Sequence, residues 1–551
     1  MAEKRKYGIG RQWFPDFKEN GCVYVDKTEY VWKLAHHGGI NYFLSRPRRF
    51  GKSLLVSTLH AYFEGRRELF EGLAIEQLET EWTPYPVIHL DLSNGKYYEL
   101  ARVHPIVNGL LSRMEKEWGV TMTGDPYAYG ERLVEIIQAA YQQTGQKVVV
   151  LIDEYDAPML DTVHKPDLQD QIRERIRDLF SPLKGQAPYL RFVFLTGISK
   201  FSQLSVFSEL NNLTDLTFDT EYEGICGITE EELFTVLKPD LEWLTKAMSR
   251  WRQPGWGYDD CVREVKRMYD GYHFTVNMAD IYNPWSLFYA FDKGMIDHYW
   301  FSTGTPSSLI NLFKVKRFSM PDLEGIEANM KQFNAPTERI SDPVPALFQS
   351  GYLTIKGYNP NTGRYKLGFP NEEVYQGFGY SLYQYYCEEY VGSENQMDIA
   401  YQHMRIKDIT FEQFLEAVRK WYAGIPYSIT SKNQNEQFYQ SLFYSLMVGV
   451  GADVHAEEQT SDGRMDISLK MQDAIYIFEF KSLTPSPSPR GEGSICFQGG
   501  DAVSGLSTPL SPWRGAGGEA PFAADPRPVY AVGLNIDSQK RTISSYDITK
   551  L

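Results

Sequence analysis

Along the first half of the chain, apolar and polar residues fall into blocks. Four runs are apolar almost without interruption: Ile40–Ser45 (INYFLS), Tyr85–Ser93 (YPVIHLDLS), Lys147–Asp156 (KVVVLIDEYD) and Arg191–Ser199 (RFVFLTGIS). A run that does not alternate suits a strand buried on both faces, as in a parallel sheet covered by helices. The intervening stretches are long enough for crossover helices. The pattern predicts a doubly wound α/β domain over about residues 20–235.

Beyond it the pattern changes. From about Glu230 to Pro345 it turns helical and rich in aromatics, with MYDGYHF and IYNPWSLFYAF. Ala346–Val374 reads as a hairpin, its turn supplied by Asn-Pro-Asn-Thr-Gly, and a winged-helix-like lid fits this region. Residues 375–430 read as helical, and a further α/β pattern begins near Asn433. The segments LTPSPSPRGEGS (Leu483–Ser494) and STPLSPWRGAGGE (Ser507–Glu519) are imperfect copies of one Ser-Pro-(x)-Arg-Gly-x-Gly theme. The whole of Leu483–Arg527 is rich in Pro, Gly and Ser and is expected to be a loop. A strand pattern resumes at Pro528–Ile536 (PVYAVGLNI), so the loop interrupts a domain.

A chain of 551 residues is too long for one core. Its net charge of −15 excludes a coat of basic surface, so any nucleic-acid contact must be a local groove. Five scattered cysteines without a C-x-x-C pair fit free thiols in a reducing compartment. The opening MAEKRKYGIG has no apolar signal core, and no uncharged apolar stretch approaches the ~20 residues that span a bilayer. A cytosolic protein with no membrane partner is expected. Oligomeric state leaves no signature in the sequence.

The first run is followed by Arg46-Pro-Arg-Arg-Phe-Gly51-Lys52-Ser53 and then by SLLVSTLHAYF, which reads as a helix. This is the layout of a phosphate-binding loop, whose amides and helix start face phosphates. Lys52 would reach the terminal phosphates and the Ser53 hydroxyl would bind magnesium. Phe50, Gly51 and Leu54 complete the cradle. Arg46 stands where the usual pattern has its first glycine, a position that lends flexibility and no reacting group. Arg48 and Arg49 could brace phosphate oxygens or pair with acidic neighbours. The third run ends in Asp153, placed to hold the magnesium, and Glu154, placed to orient or deprotonate an attacking water. Thr196, near the end of the fourth run, could sense the terminal phosphate or be merely structural. Tyr24–Thr28 (YVDKT) could lie near the base or pack on the core.

A second constellation lies in Gly463–Ser482 (GRMDISLKMQDAIYIFEFKS). A hairpin turning on Gln472-Asp473 sets Met471 opposite Ala474 and, counting outward, Asp466 opposite Glu479. Asp466, Glu479 and Lys481 would then share one face, with Tyr476, Phe478 and Phe480 on the other. Two carboxylates that hold Mg²⁺ or Mn²⁺, with a lysine beside them, suit phosphodiester cleavage. Glu436, on the preceding amphipathic stretch, could add a ligand. The bland alternative is an ordinary amphipathic hairpin with a wet face.

GCVYVDKTEYV, SRPRRFGKSLL, VLIDEYDAPM, FLTGISKFS with ELNNLTDLT, MYDGYHF, IYNPWS, and FQSGYLTI with LGFPNEEV follow one another in the order of a known bacterial family. The chain resembles the AAA-ATPase-like family, whose members commonly carry a C-terminal PD-(D/E)XK nuclease-like domain. The resemblance covers nearly everything except Leu483–Arg527, and in that family RPRRFGK is the normal loop. It implies a P-loop ATPase using ATP and Mg²⁺, with Lys52, Ser53, Asp153 and Glu154 in the roles above. It implies four parts: residues 1–235 as the ATPase domain, 236–375 as the lid, 376–432 as a helical linker, and 433–551 as the nuclease-like domain interrupted at 483–527. Relatives carry an amphipathic helix after the Lys481 strand. A Pro/Gly-rich segment cannot make it, so the nuclease half is open to inactivation. The function implied is ATP hydrolysis coupled to a metal-dependent domain acting on nucleic acid. The alternative is a nucleotide-switched interaction protein whose C-terminal domain binds or scaffolds without cutting.

Overall fold

The computed structural model describes residues 4–162, 165–200, 213–301, 320–335, 342–386, 394–425, 436–456, 459–460, 463–464, 467–483, 522, 525–537 and 542–551. The chain divides into two compact units, Met1–Phe318 with Asp322–Tyr375, and Gln376–Leu551 with Ser319–Pro321.

The first unit is built on a five-stranded sheet. Its strands are β1 (Asn41–Ser45), β2 (Val87–Asp91), β3 (Val148–Asp153), β4 (Leu190–Gly197) and β5 (Thr214–Asp215). They lie in the order β2-β3-β4-β1-β5, and every neighbouring pair is parallel. β1 and β3 are buried along their whole length, as unalternating apolar runs require. β2 is different. It holds the sheet edge, so its residues alternate between half-buried and buried despite the apolar run that announced it. β5 is only two residues long and left no pattern to read.

Helices cover both faces. On one, Leu111, Ile137, Ile172 and Ile176 from three helices (Val103–Glu117, Tyr129–Thr144, Pro166–Phe180) pack on Phe43, Val150, Ile152 and Leu195. Burying such side chains fully stabilises by roughly 1.5–3 kcal/mol each. On the other, the helix Lys52–Phe63 sets Phe63 against Phe192, centroids 4.9 Å apart. The chain therefore leaves β1 toward one face and leaves β3 toward the other. Divergent exits of this kind open a crevice at the carboxyl ends of the strands. The register brings Ser45 beside Gly197 and Ile152 beside Leu195, so the ends of β1, β4 and β3 lie together.

The middle of the chain belongs to the same unit. Helices Lys238–Met248, Tyr258–Tyr269 and Pro284–Lys293 bury Leu241, Leu244, Val265, Met268, Leu287 and Phe291 against one another. The expected hairpin is Thr354–Asn359 with Arg364–Gly368, closed by the Gly363 amide on the Asn359 carbonyl at 2.9 Å. Ile326–Ala328 pairs with its second strand, and the helix Val344–Ser350 precedes it.

The second unit has its own sheet, in the order Val454–Ala456, Ile467–Lys470, Ile475–Leu483, Val529–Asp537, Thr542–Lys550. Only Ile475–Leu483 and Val529–Asp537 run parallel. The interrupted segment is therefore the crossover between the two central strands of one sheet. Helices Phe411–Gly424 and Glu436–Gly449 pack on it, with Phe443 5.0 Å from Phe478 and 5.7 Å from Phe480. Among the described residues no helix is long and apolar enough to cross a membrane.

Candidate active site

Ser45 ends β1, and the loop from Arg46 to Gly51 turns the chain into the helix Lys52–Phe63. Gly51 has φ +92°, a conformation that a residue with a β-carbon rarely adopts. A β-carbon there would meet nothing within 4 Å, so the requirement is backbone freedom and not space. Arg46 lies beneath the loop, 1% exposed. Its guanidinium donates to the carbonyls of Ser45 (2.9 Å), Thr217 (2.9 Å) and Tyr222 (3.3 Å) and lies 4.2 Å from the Phe274 ring centre. Burial pushes its pKa down to about 10. The residue in the first glycine's place is thus an anchor that ties the loop to the chain after β5. It does not line the cavity beside the loop.

The rest of the loop does. Arg48, Arg49, Phe50, Gly51, Lys52, Ser53 and Leu54 all line a cavity of about 600 Å³. Phe50 also backs the loop edge-on against Tyr272, centroids 4.8 Å apart. Arg48 and Arg49 form no ion pair among the described residues. Arg49 lies instead 3.9 Å over the Trp285 ring, and desolvation lowers its pKa. Two cations without a carboxylate partner, beside a row of helix-start amides, favour an anion in this cavity.

The acid pair meets the loop from β3. The Asp153 carboxylate accepts from the Glu154 amide at 3.0 Å, and Ser53 favours its charged form. Lys52 is 4% exposed, donates to the Pro47 carbonyl at 3.2 Å, and lies 3.6 Å from Glu154. Burial raises the Asp153 carboxyl to about 7. Glu154 and Asp91 push in the same direction, while Ser53 and Lys52 oppose them. A buried carboxylate with too little positive charge around it is a natural seat for a divalent cation, and the Ser53–Asp153 pair fits magnesium. The next acid, Asp156, is fully buried on the end of β4, and burial raises it to about 6.

Thr196 is fully buried, is not among the cavity-lining residues, and its hydroxyl has no partner among the described residues. At the end of β4 the lining comes from Ile198 and Ser199. Other walls escaped sequence reasoning: Gly8–Gly10, Ile225–Ile228, Trp285 with Phe288, and Trp300 with Tyr352. Tyr24, Val25 and Lys27 of the YVDKT stretch line the cavity as well. Lys27 is held there by Glu232, at 2.6 Å and 2.7 Å. Aromatic density in IYNPWSLFYAF was the one available signal for such walls.

In the second unit the hairpin pairs Ile467 with Phe478 and Lys470 with Ile475, and Met471 donates to the Ala474 carbonyl at 2.8 Å. That is the register counted from Gln472-Asp473. Asp466 lies outside the described residues, as do the side chains of Lys481 and Glu436, although their backbones belong to a strand and a helix. Glu479 is half-buried on Ile475–Leu483. Ile475 and Ile477, which share its face, are buried, so that face has cover at those two positions.

Residues 7–207 match the model of a family described as predicted AAA-ATPase, and residues 434–546 match that of the PD-(D/E)XK nuclease superfamily. A protein of Azotobacter chroococcum mcd 1, described as "Uncharacterized protein in vnfD 5'region", is 32% identical over 556 residues, covering 100% of this chain and 99% of its own. The Aeropyrum pernix ORC2 protein, solved as ADPNP-ADP complexes, is 11% identical with a TM-score of 0.23, covering 65% of this chain and 92% of its own. That likeness is too slight to build on. The full-length relative and the two domain matches agree with the sheet order and the loop: the chain belongs to the AAA-ATPase-like family, with a P-loop domain first and a PD-(D/E)XK nuclease superfamily domain at its C-terminal end.

Proposed function

We propose that the protein binds and hydrolyses ATP, and that its nucleotide state controls a C-terminal nuclease-like domain acting on nucleic acid. The observation that carries the first half is the meeting of the loop residue Ser53 with the buried Asp153 carboxylate, whose charged form the serine favours. It joins the phosphate loop to the acid of a strand two positions away in the sheet. Ser53 and Asp153 would hold Mg²⁺, which when bound neutralises charge on the phosphates. Lys52 would bind the terminal phosphates, with Arg48 and Arg49 beside them. Glu154, 3.6 Å from Lys52, would hold the attacking water and take its proton. Cys22, Cys226 and Cys261 are free thiols, which suits the cytosol.

Two variants test the reading. Lys52→Ala should weaken ATP binding by about 10²-fold or more in calorimetric titration. Glu154→Gln should keep ATP affinity while turnover falls by about 10²–10³-fold. Undiminished turnover by the Lys52 variant would end the proposal.

A further inference from the structure

Glu154 has φ +50°, a backbone conformation that side chains other than glycine rarely adopt. The two residues after it hold it there. Tyr155 donates its amide to the Thr196 carbonyl at 3.1 Å and its hydroxyl to the Ser199 carbonyl at 2.7 Å. Asp156 presents one carboxylate oxygen to three donors: the amides of Ile198 (2.9 Å) and Ser199 (2.7 Å) and the Ser199 hydroxyl (2.9 Å). All of these partners belong to the end of β4 or the residues just beyond it. Both side chains are fully buried. The strand end is itself fixed, since the Lys200 amide donates to the Gln349 side chain at 2.8 Å.

Gly197 makes the arrangement possible. A β-carbon at 197 would stand 2.5 Å from the second Asp156 oxygen and 2.7 Å from two ring carbons of Tyr155. Its φ is not in the left-handed region, so the glycine is there for space. A buried carboxylate is a costly way to fill a core position unless its hydrogen bonds are needed. Here they determine the shape of the turn that carries Glu154.

We propose that Asp156 is a positioning residue: with Tyr155 it staples the turn after β3 to the end of β4 and holds Glu154 in the left-handed conformation that faces Lys52. The purpose of that conformation rests on the ATPase reading above; the staple itself does not.

The test uses the full chain as wild type, Asp156→Ala, Gly197→Ala and Tyr155→Phe. Three quantities are measured: amide exchange of peptides covering residues 150–160 and 46–55, affinity for a non-hydrolysable ATP analogue, and kcat for ATP. Asp156→Ala should speed exchange in 150–160 but not in 46–55. It should lower kcat by about 10²-fold, as expected for a displaced reacting group, with analogue affinity within about twofold. Gly197→Ala should do the same without altering a charge, and Tyr155→Phe should do so more weakly. A folded Asp156→Ala with wild-type exchange and kcat overturns the inference. So do equal losses of kcat and analogue affinity, which mark a merely structural residue. If Asp156→Ala does not fold, Tyr155→Phe decides by the same criteria. A wild type that neither binds nor hydrolyses ATP refutes the ATPase reading, and the exchange result then decides the staple alone.

Discussion

Asp153→Asn should make the metal-free protein more stable while destroying its turnover. The reason is the cost of keeping a carboxylate charged where Asp153 sits. Its folded value is about 7 against an ordinary 3.8, and it is 4% exposed. The folded state thus holds its proton to higher pH than the unfolded chain does, so stability falls as pH rises from about 4 to about 7 and is level beyond. At pH 8 the full cost of the charge applies, about 4 kcal/mol. At pH 5 only part of it applies, about 2 kcal/mol. Asparagine keeps the shape and cannot ionise. The advantage of Asp153→Asn over wild type should therefore grow by about 2–3 kcal/mol between pH 5 and pH 8. The assay is urea unfolding at both pH values without divalent metal, following the transition that shifts when an ATP analogue and Mg²⁺ are added. Mg²⁺ with the analogue should raise the wild-type midpoint and leave the variant nearly unmoved. An advantage that does not grow with pH, or a wild type more stable at pH 8, would refute the claim that Asp153 is a strained, cation-seeking carboxylate.

Two further outcomes are expected. Arg46→Met removes three buried hydrogen bonds to backbone carbonyls, so it should cost about 2–4 kcal/mol in urea unfolding of the same transition. A variant as stable as wild type would show that the anchor is dispensable. In the second unit, divalent-metal-dependent cutting of DNA or RNA should be lost in Lys481→Ala, measured on labelled substrates. A wild type that cuts neither with any metal would favour a domain that binds without cleaving.

What the sequence disclosed depended on how local the determining interaction is. β1, β3 and β4 were legible because burial on both faces removes alternation, and β2 misled because an edge strand can carry the same residues half-exposed. The register from Ile467 to Phe478 was legible because a short turn fixes every later pair by counting. Arg46 was not. Its partners at Thr217 and Tyr222 are 171 and 176 positions away, and nothing in RPRRFGK names them. The walls of the cavity were hidden for the same reason, since Ile9, Ile228, Trp285 and Tyr352 reach it from four separate stretches of chain. Thr196 left two readings open, a sensor or a merely structural hydroxyl; it is buried inside the sheet, and Ile198 and Ser199 line the cavity.

The same locality separates the two halves of the proposed function. In the first unit two of the groups proposed to meet the nucleotide already have protein partners: Lys52 has Pro47 and Glu154, and Arg49 has the Trp285 ring. Binding is then an exchange of partners, and its free energy is the difference between two satisfied states. Binding at Asp153 would be favourable, because a divalent cation there would offset a burial cost of about 4 kcal/mol. An exchange at Arg49 would release Trp285, on the first turn of the helix Pro284–Lys293 whose inner face packs on Leu241 and Val265. On the proposed reading, metal and triphosphate would draw on groups from both walls of one cavity.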